Sequence, residues 1–375
     1  MSGFGQLGSH GSHGSHGSHG SHGSHGSHGS HGSHGGAIVD AYANSLDVAA
    51  LTLLREAIIV PDDFHTGSGA NMHSGAARNM RRWEPAVRQS IIQQGLLEQI
   101  AFQVILPKAR GGRPTVRLIA NGKTLVSIER PTPGEFKGQV RYVLNWAELR
   151  EERAPEVLSQ MVEPFAFLGS IVHLHPDRTR YTIELLTYVF NLANAVEMRF
   201  KHEFACWRPS DYSPQVQPMI TTPGHGSFPS GHATEMYAVI TVLKALIRIT
   251  GKKSTTALQL ERLAARIATN RVVAGVHFPV DSVAGRLLGF QLGEFFLSSV
   301  SSAAGKKQYH WTARRFDATA FFKQLSGEFK PTDPISSAVY YPAGTAPKIG
   351  TARHLQVLAE MWSLAKAEWS GRSPT

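Results

Sequence analysis

The stretch Phe228-Pro229-Ser230-Gly231-His232 predicts a turn that leads directly into a helix. Pro229 fixes one backbone angle, Ser230 is a favoured N-cap residue, and Gly231 lets the backbone approach a ligand closely. The apolar-periodic run that follows predicts the helix itself. Free N–H groups at a helix start, together with a small hydroxyl, form a binding site for an anion. His232 would lie beside that anion as an acid or a base.

The composition of the 375-residue chain indicates a large basic protein. There are 38 Lys+Arg against 28 Asp+Glu, for a formal net charge of +10, which indicates attraction to anions. The basic residues are scattered, with no dense block and no aromatic-interleaved stripe, so we expect no nucleic-acid binding. The single cysteine, Cys206, excludes an intrachain disulfide, and we expect it to pack as a small buried hydrophobe.

Hydropathy and the N-terminal sequence predict where in the cell the protein is located. No stretch of 18 or more apolar residues lacks charge, so no membrane span is predicted. The N-terminus has no charged region followed by an apolar one, so we expect no secretory signal and, by default, a soluble cytoplasmic protein. Nine Gly-Ser-His units fill 8–34, and we expect the leader, 1–36, to be disordered. Its histidines suit Ni, Cu or Zn but are not counted toward a catalytic site.

The remaining sequence, 37–375, is predicted to be one all-α catalytic domain with a small β insert at 105–145. Two alternating runs flank Ala120-Asn121-Gly122, which is a strong hairpin signal. Helical periodicity dominates 146–300, the predicted catalytic helical core. The helices expected in the core span 146–160, 164–174, 177–203, 230–250, 254–273 and 280–299. Further helices are predicted at 37–60, 83–103 and 351–369.

Basic residues at three places along the chain predict an oxyanion site. A tetrahedral oxyanion needs fixed donors from several directions, and the forked, permanently charged guanidinium groups of Arg208 and Arg271 suit that need. Lys201 adds a compact third charge. The Ser230 hydroxyl and the Gly231 N–H would donate from the helix start. Each charge-assisted bond contributes about 1.5–3 kcal/mol, so five or six would hold a small anion tightly.

His277 and Asp281 form a second part of the expected site. Pro279 suits the first position of a helix, which puts Asp281 in its first turn and within reach of the His277 imidazole. A carboxylate on one imidazole nitrogen fixes the tautomer and makes the other nitrogen a better nucleophile or metal ligand. His232 then remains as a second histidine that can move a proton.

In order and spacing, these residues resemble the superfamily of type 2 phosphatidic acid phosphatases (PAP2) and vanadium-dependent haloperoxidases. The resemblance rests on Lys201, Arg208-Pro209, Pro229-Ser230-Gly231-His232, Arg271, His277 and Asp281. It implies a helical-bundle fold. It also implies that phosphate or vanadate is held by Lys201, Arg208, Ser230, Gly231 and Arg271. One departure is Asn270, where the phosphatases usually have Ser, and this weakens the phosphatase interpretation.

The resemblance implies two alternative chemistries for the two histidines. In the phosphatases, the residue matching His277 attacks phosphorus and the one matching His232 protonates the leaving group. In the haloperoxidases, the match to His277 is the one protein ligand to vanadium, and the match to His232 is the acid–base group that helps peroxide to bind. Lys201 would then polarise the bound peroxide.

Two features favour the haloperoxidase. Lipid phosphatases of this family carry membrane-spanning helices and its soluble bacterial acid phosphatases usually carry a signal peptide, and neither is predicted here. His225 lies five residues before Ser230. Bromide-oxidising haloperoxidases resemble this, whereas chloride-oxidising ones have Phe at that place; a simple loop histidine is the alternative. Trp207 also looks haloperoxidase-like, with core packing as its alternative.

We therefore predict a haloperoxidase that holds one vanadate per site, with His277 as its metal ligand. It would oxidise bromide or iodide with hydrogen peroxide to hypohalous acid, which would react with a small organic acceptor; a homo-oligomer is left open. The alternative is a soluble PAP2-type acid phosphatase with a phosphohistidine intermediate at His277. A third hypothesis is a metal-buffering protein that acts through the leader. His173 and His175 are a weak metal pair, because residues two apart on a helix point away from each other.

Overall fold

The computed structural model describes residues 72–107, 112–161, 165–249, 254–300, 309–324 and 349–371. All of these lie in one compact unit, Asp63–Thr375. The Gly-Ser-His leader, the boundary after residue 36 and the helix predicted at 37–60 lie outside the described residues and stay predictions. Among the helices that are described, none is both long and apolar enough to cross a membrane.

The described fold is mainly helical, as predicted, with a small sheet. The helices are α1 Pro85–Leu97, α2 Pro133–Trp146, α3 Arg150–Ser159, α4 Phe165–Gly169, α5 Arg180–Phe204, α6 Pro209–Tyr212, α7 Gly231–Leu246, α8 Thr255–Val273, α9 Pro279–Val300, α10 Ala318–Gln324 and α11 Gln356–Ala367. The strands are β1 Ile100–Ile105, β2 Thr115–Ala120, β3 Lys123–Glu129, β4 Trp311–Thr312, β5 Arg314–Phe316 and β6 Ile349–Gly350. Short 3₁₀ turns cover Ala77–Arg81 and Ala147–Leu149.

The predicted hairpin is confirmed as β2 and β3, which pair antiparallel. Asn121 and Gly122 both have positive φ, at 46° and 73°, the backbone that a tight hairpin turn requires. The sheet has four strands in the order β1-β2-β3-β5, and β5 joins β3 in parallel from a distant part of the chain. The helix expected over 83–103 is too long. It ends at Leu97, and the following residues form β1.

The sheet region was also predicted to extend to residue 145, and its last part is instead the helix α2. Thr132 and Glu135 form a capping box: the Thr132 hydroxyl accepts from the Glu135 N–H at 3.3 Å, and the Glu135 carboxylate accepts from the Thr132 N–H at 2.8 Å. Pro133 occupies the first helical position. Thr132 with Glu135 three residues later is the sequence signal that distinguishes this helix from the predicted β insert.

The helices expected in the core are present with shifted ends. The structure confirms α5, α7, α8 and α9 to within a few residues of the predicted ranges. The helix expected over 146–160 is α3, which begins at Arg150 after a 3₁₀ turn and contains Pro155 without a break. The helix expected over 164–174 is shorter and covers Phe165–Gly169. A single large apolar cluster joins α5, α7 and α9 to the sheet.

Helices α7 and α9 pack against each other along a row of glycines. Gly285, Gly289 and Gly293 recur every four residues on α9 and so share one face. A methyl group at Gly285 would lie 2.6 Å from the Ser230 carbonyl oxygen, and one at Gly293 would lie 2.6 Å from Thr241 Cβ. No side chain fits between the two backbones, so the glycines permit the close approach that places the start of α7 beside the start of α9.

We expect Gly289→Ala to destabilise the protein, because its methyl group would collide with the Thr234 carbonyl oxygen. Overpacking of this kind costs about 1–3 kcal/mol. The matched control is Gly138→Ala on α2, where an added methyl group meets no atom within 4 Å. The control should stabilise the protein by about 0.5–1 kcal/mol, since glycine is unfavourable inside a helix. Thermal unfolding measures both, and equal shifts of Tm would contradict the packing argument.

Candidate active site

The start of α7 lies directly beside the start of α9. The Ser230 N–H donates to the Asp281 carbonyl oxygen at 2.9 Å, which joins the two segments through the backbone. Ser230 is the N-cap residue of α7, but its hydroxyl makes no capping bond. Its Oγ is buried and has no hydrogen-bond partner in the described part of the chain. A buried hydroxyl without a partner is costly unless a ligand supplies one.

Gly231 is packed against a carboxyl group that the sequence analysis missed. A methyl group at this position would collide with Glu197 Oε1, so any side chain would displace the Glu197 carboxyl group. Glu197 lies four residues before Lys201 on α5 and is buried. Burial, followed by the nearby Glu235 carboxylate, raises the pKa of Glu197 well above its usual range. The i, i+4 spacing to Lys201 was the signal that could have identified Glu197.

Lys201 is the ammonium group beneath the start of α7. It is 1% exposed, and its Nζ donates to the Pro229 carbonyl oxygen at 2.5 Å and, more weakly, to that of Ser227 at 3.5 Å. Burial lowers the pKa of Lys201 to about 8, although the Glu197 carboxyl group acts in the opposite direction. The lysine is therefore held by backbone oxygens and by its charge partners.

Arg208 brings two of the predicted histidines together. Its Nη1 donates to the Val276 carbonyl oxygen at 2.7 Å and lies 3.2 Å from His277 Nε2. Its Nη2 lies 3.1 Å from His225 Nδ1, and its Nε donates to the His225 carbonyl oxygen at 3.2 Å. Burial lowers the pKa of Arg208 to about 10, which still leaves it charged at neutral pH. His225 is thus in direct contact with the Arg208 guanidinium.

His277 and Asp281 form the pair expected from their spacing. His277 Nδ1 lies 2.9 Å from Asp281 Oδ2, which also accepts from the Phe278 N–H at 2.9 Å. Burial, then Arg208 and Lys201, lower the pKa of His277 well below its usual range, so the imidazole is neutral. Nδ1–H then donates to Asp281, and Nε2 carries the lone pair that faces Arg208. Burial raises the pKa of Asp281 to about 7.

Arg271 and His232 are held from the other side by the end of α3. Arg271 Nη2 donates to the Val157 carbonyl oxygen at 2.9 Å and to Gln160 Oε1 at 3.0 Å. Arg271 Nε and Nη1 are buried, and no described group accepts from them. His232 Nε2 donates to the Gln160 carbonyl oxygen at 2.8 Å. Burial lowers the pKa of Arg271 to about 10.

A second buried carboxyl group, Glu235, was also missed by the sequence analysis. Its Oε2 lies 3.9 Å from His232 Nδ1, one helical turn away on α7. Burial raises the pKa of Glu235 to about 7, while Lys201 and Arg271 are among the groups that act to lower it. The three cations of the site therefore face three carboxyl groups, of Glu197, Glu235 and Asp281. The site is a charged cluster more than a simple cationic pocket.

Other residues noted in the sequence have the following places. Cys206 is 3% exposed, as expected of a small hydrophobe, and burial raises the pKa of its thiol to about 12. Trp207 is 66% exposed, so core packing is the wrong explanation for it. His173 and His175 are not on a helix; their rings stack with centroids 6.1 Å apart. In the described ranges, no group of three or more His, Cys, Asp or Glu could hold a metal ion.

Comparison with known proteins places the site in a family. Residues 182–303 match the family model of the PAP2 superfamily. This segment is similar to the PAP2 superfamily and covers about a third of the chain. The resemblance drawn from the motifs is therefore confirmed at that level, and the matched residues contain every predicted site residue.

One solved structure similar to the chain is the crystal structure of "the first transmembrane PAP2 type phosphatidylglycerolphosphate phosphatase from Bacillus subtilis". The match has 19% identity and covers 44% of this chain and 75% of that one, with a TM-score of 0.27. Similarity this weak carries no conclusion about activity. Among curated proteins, no sequence matches the chain.

We expect sulfate to bind more weakly as the pH rises through about 7. Glu235 and Asp281, whose pKa values are both raised to about 7, are neutral below that pH and negative above it. Their ionisation removes net positive charge from the site, and loss of the Lys201 proton above pH 8 acts in the same direction. Sulfate keeps its charge over this pH range, so a change in its affinity measured by calorimetry comes from protonation of the protein and not of the ligand.

Glu235→Gln should flatten this profile, because the amide cannot ionise. Glu261→Gln is the matched control, since Glu261 is partly exposed and pairs with Lys244 at 2.8 Å on the protein surface. The control should leave the profile unchanged. Sulfate affinity that is constant or rises with pH in the unaltered protein would contradict this account of the site's charge.

Proposed function

We propose that the chain is a PAP2-type phosphohydrolase that acts on a phosphomonoester with His277 as its nucleophile. The observation that carries the proposal is a set of buried donors that have no partner among the described residues and lie among three buried cations. These donors are Ser230 Oγ, Arg271 Nε and Arg271 Nη1. A phosphoryl group offers acceptor oxygens for all three and negative charge for Lys201 and Arg208.

The proposed reaction begins at His277 Nε2. Its lone pair forms a bond to phosphorus while the ester P–O bond breaks, and the Asp281 carboxylate stabilises the positive imidazole that results. Arg208 Nη1, which lies 3.2 Å from Nε2 in the structure, would turn its N–H toward a phosphoryl oxygen. The developing negative charge is shared among Arg208, Arg271 and Lys201.

His232 would move the protons. Its Nε2–H is engaged with the Gln160 carbonyl oxygen, so Nδ1 is the nitrogen that exchanges a proton. Protonated Nδ1 would donate to the departing alkoxide and then, as a base, take a proton from the water that attacks phosphorus. The P–N bond then breaks and phosphate leaves. Glu235, 3.9 Å from Nδ1, would stabilise the charged imidazole.

The burial of the site favours a small terminal phosphoryl group. Lys201, Arg208 and Arg271 are each at most 3% exposed, whereas the His232 side chain is 23% exposed. The phosphoryl group would therefore enter the buried cluster while the leaving group stays on the side of His232. In this arrangement the buried donors recognise the phosphoryl group, and few contacts select which alcohol is the leaving group.

His277→Ala should reduce hydrolysis of a nitrophenyl phosphate to background. Mass spectrometry after an acid-free quench should detect a phosphohistidine in the unaltered protein and none in His277→Ala. His232→Ala should lower the rate by about 10²–10⁴-fold, because only acid–base catalysis is removed. The control is His202→Ala, an exposed histidine next to Lys201 on α5. Hydrolysis that survives His277→Ala would contradict the proposal.

The second candidate is the vanadate-dependent haloperoxidase, which the position of His225 favours. Its Nδ1 lies 3.1 Å from Arg208 Nη2, so His225 contacts an arginine that is proposed to hold the oxyanion. The buried donors without partners also fit vanadate. The residues that would hold it are Lys201, Arg208, Ser230, Gly231, Arg271 and His277. Bound vanadate would supply a Lewis acid that activates hydrogen peroxide toward bromide or iodide.

Parallel assays with and without vanadate separate the two candidates. As a phosphatase, the protein should hydrolyse the ester without vanadate, and vanadate should inhibit it by competing for the same donors. As a haloperoxidase, it should brominate a phenol dye with bromide and hydrogen peroxide only after vanadate is added, and His277→Ala should remove that activity. Hydrolysis that vanadate leaves unaffected would contradict the shared oxyanion site.

A further inference from the structure

We propose that Gln160 is a positioning residue that fixes the direction of Arg271 and the tautomer of His232 in the oxyanion site. This inference rests on the proposed function of that site. Gln160 directly follows α3, the helix Arg150–Ser159, and is completely buried. It lies outside the 182–303 segment that matches the superfamily, so no motif residue accounts for it.

The Gln160 side-chain amide is fixed at both of its ends. Its Oε1 accepts from Arg271 Nη2 and from Asn270 Nδ2, each at 3.0 Å. Its Nε2 donates to Glu156 Oε1 at 2.9 Å. Arginine only donates and a carboxylate only accepts, so these partners determine which end of the amide carries oxygen. An apolar residue would supply neither end of this bridge.

The amide determines which Arg271 N–H groups remain for a ligand. Gln160 Oε1 and the Val157 carbonyl oxygen both accept from Nη2. Arg271 Nε and Nη1 are then left without an acceptor in the described structure. A guanidinium held at one nitrogen cannot turn freely, so its other N–H groups keep a constant direction. The geometry thus presents a prepared donor to an oxyanion.

The Gln160 backbone acts on His232. Its carbonyl oxygen accepts from His232 Nε2 at 2.8 Å, which keeps a proton on Nε2 and leaves Nδ1 for proton exchange. The Gln160 N–H in turn donates to the Glu156 carbonyl oxygen at 3.0 Å, in the last turn of the helical segment. One residue therefore positions a phosphate-binding group through its side chain and an acid–base group through its main chain.

Asn270 gains a physical explanation from the same contacts. Its Nδ2 donates to Gln160 Oε1 and to Glu156 Oε1, at 3.0 and 2.9 Å, and its Oδ1 accepts from Arg153 Nη1 at 3.1 Å. A serine at this position has one hydroxyl and a shorter side chain, and could not make all three bonds. Asn270, the departure from the phosphatase pattern, thus joins α8 to α3 and holds the Gln160 amide in place.

The test is direct binding of inorganic phosphate by calorimetry to Gln160→Met and Gln160→Glu proteins, with ester hydrolysis measured in parallel. Methionine keeps the length of the side chain and removes the amide. We expect Gln160→Met to weaken phosphate binding about tenfold, the effect of losing one charge-assisted hydrogen bond. The kcat should change less than KM, because the backbone bond to His232 is kept.

Gln160→Glu supplies a readout that a purely structural role would not move. A protonated carboxyl group can still accept from Arg271 and donate to Glu156, so phosphate binding should be close to normal at low pH. As the pH rises the new carboxylate offsets the charge of Arg271, and binding should weaken more steeply than in the unaltered protein. Gln160→Met should show no such additional pH dependence.

Gln291→Met is the matched control, because Gln291 is also completely buried but lies ten residues beyond Asp281 on α9. If Gln160→Met does not fold, Asn270→Ser removes one of the two donors to Gln160 Oε1 and should weaken phosphate binding by a smaller factor. Phosphate binding that is unchanged in the folded Gln160 variants, or equally weakened in Gln291→Met, overturns the positioning role. Phosphate binding without ester hydrolysis in the unaltered protein overturns the proposed function alone.

Discussion

The close contact between α7 and α9 is the constraint on which the site depends. Gly285 lies so near the Ser230 carbonyl oxygen that no methyl group would fit. At the same place, the Ser230 N–H reaches the Asp281 carbonyl oxygen, so the two helix starts are joined at 2.9 Å. A bulkier residue on the glycine face would separate the Ser-Gly-His turn from His277. The packing of two helices therefore determines whether a hydroxyl, a glycine N–H and an imidazole can meet one ligand.

The electrostatics of the site follow from burial on that scaffold. Three cations that are almost fully buried would repel one another strongly if nothing compensated them. Glu197, Glu235 and Asp281 provide that compensation, and their own burial raises their pKa values. Glu235 and Asp281, whose pKa values are raised to about 7, would take up protons near neutral pH when an anion enters, which would limit the change in the total charge of the cluster. These two carboxyl groups would therefore assist anion binding in the proposed reaction without contacting the ligand.

The sequence predicted the parts of this protein that depend on local chemistry. The Asn-Gly hairpin, the start of α7 and the pairing of His277 with Asp281 each need only a few neighbouring residues, and the structure places them as expected. The remaining features depend on distant segments. β5 is three residues long and pairs with β3 across much of the chain, so no periodicity could reveal it. Gln160 had no signal at all, because a glutamine after a helix gains meaning only when Arg271 packs against it.

The contacts of Gln160 also bear on the choice between the two chemistries proposed for the site. Phosphate transfer needs the leaving group protonated, and peroxide activation needs protons moved at a bound oxyanion, so both depend on His232. The His232 tautomer is set by the Gln160 carbonyl oxygen, which lies outside the matched segment. His232 Nδ1 lies 3.9 Å from Glu235 Oε2. The donors proposed to hold the anion, in contrast, belong to the motifs on which the superfamily resemblance rests. The choice of reaction would then depend on residues such as Gln160 and Glu235, which control where protons lie around the shared cations. For this reason the motifs indicate the superfamily but do not distinguish the two reactions.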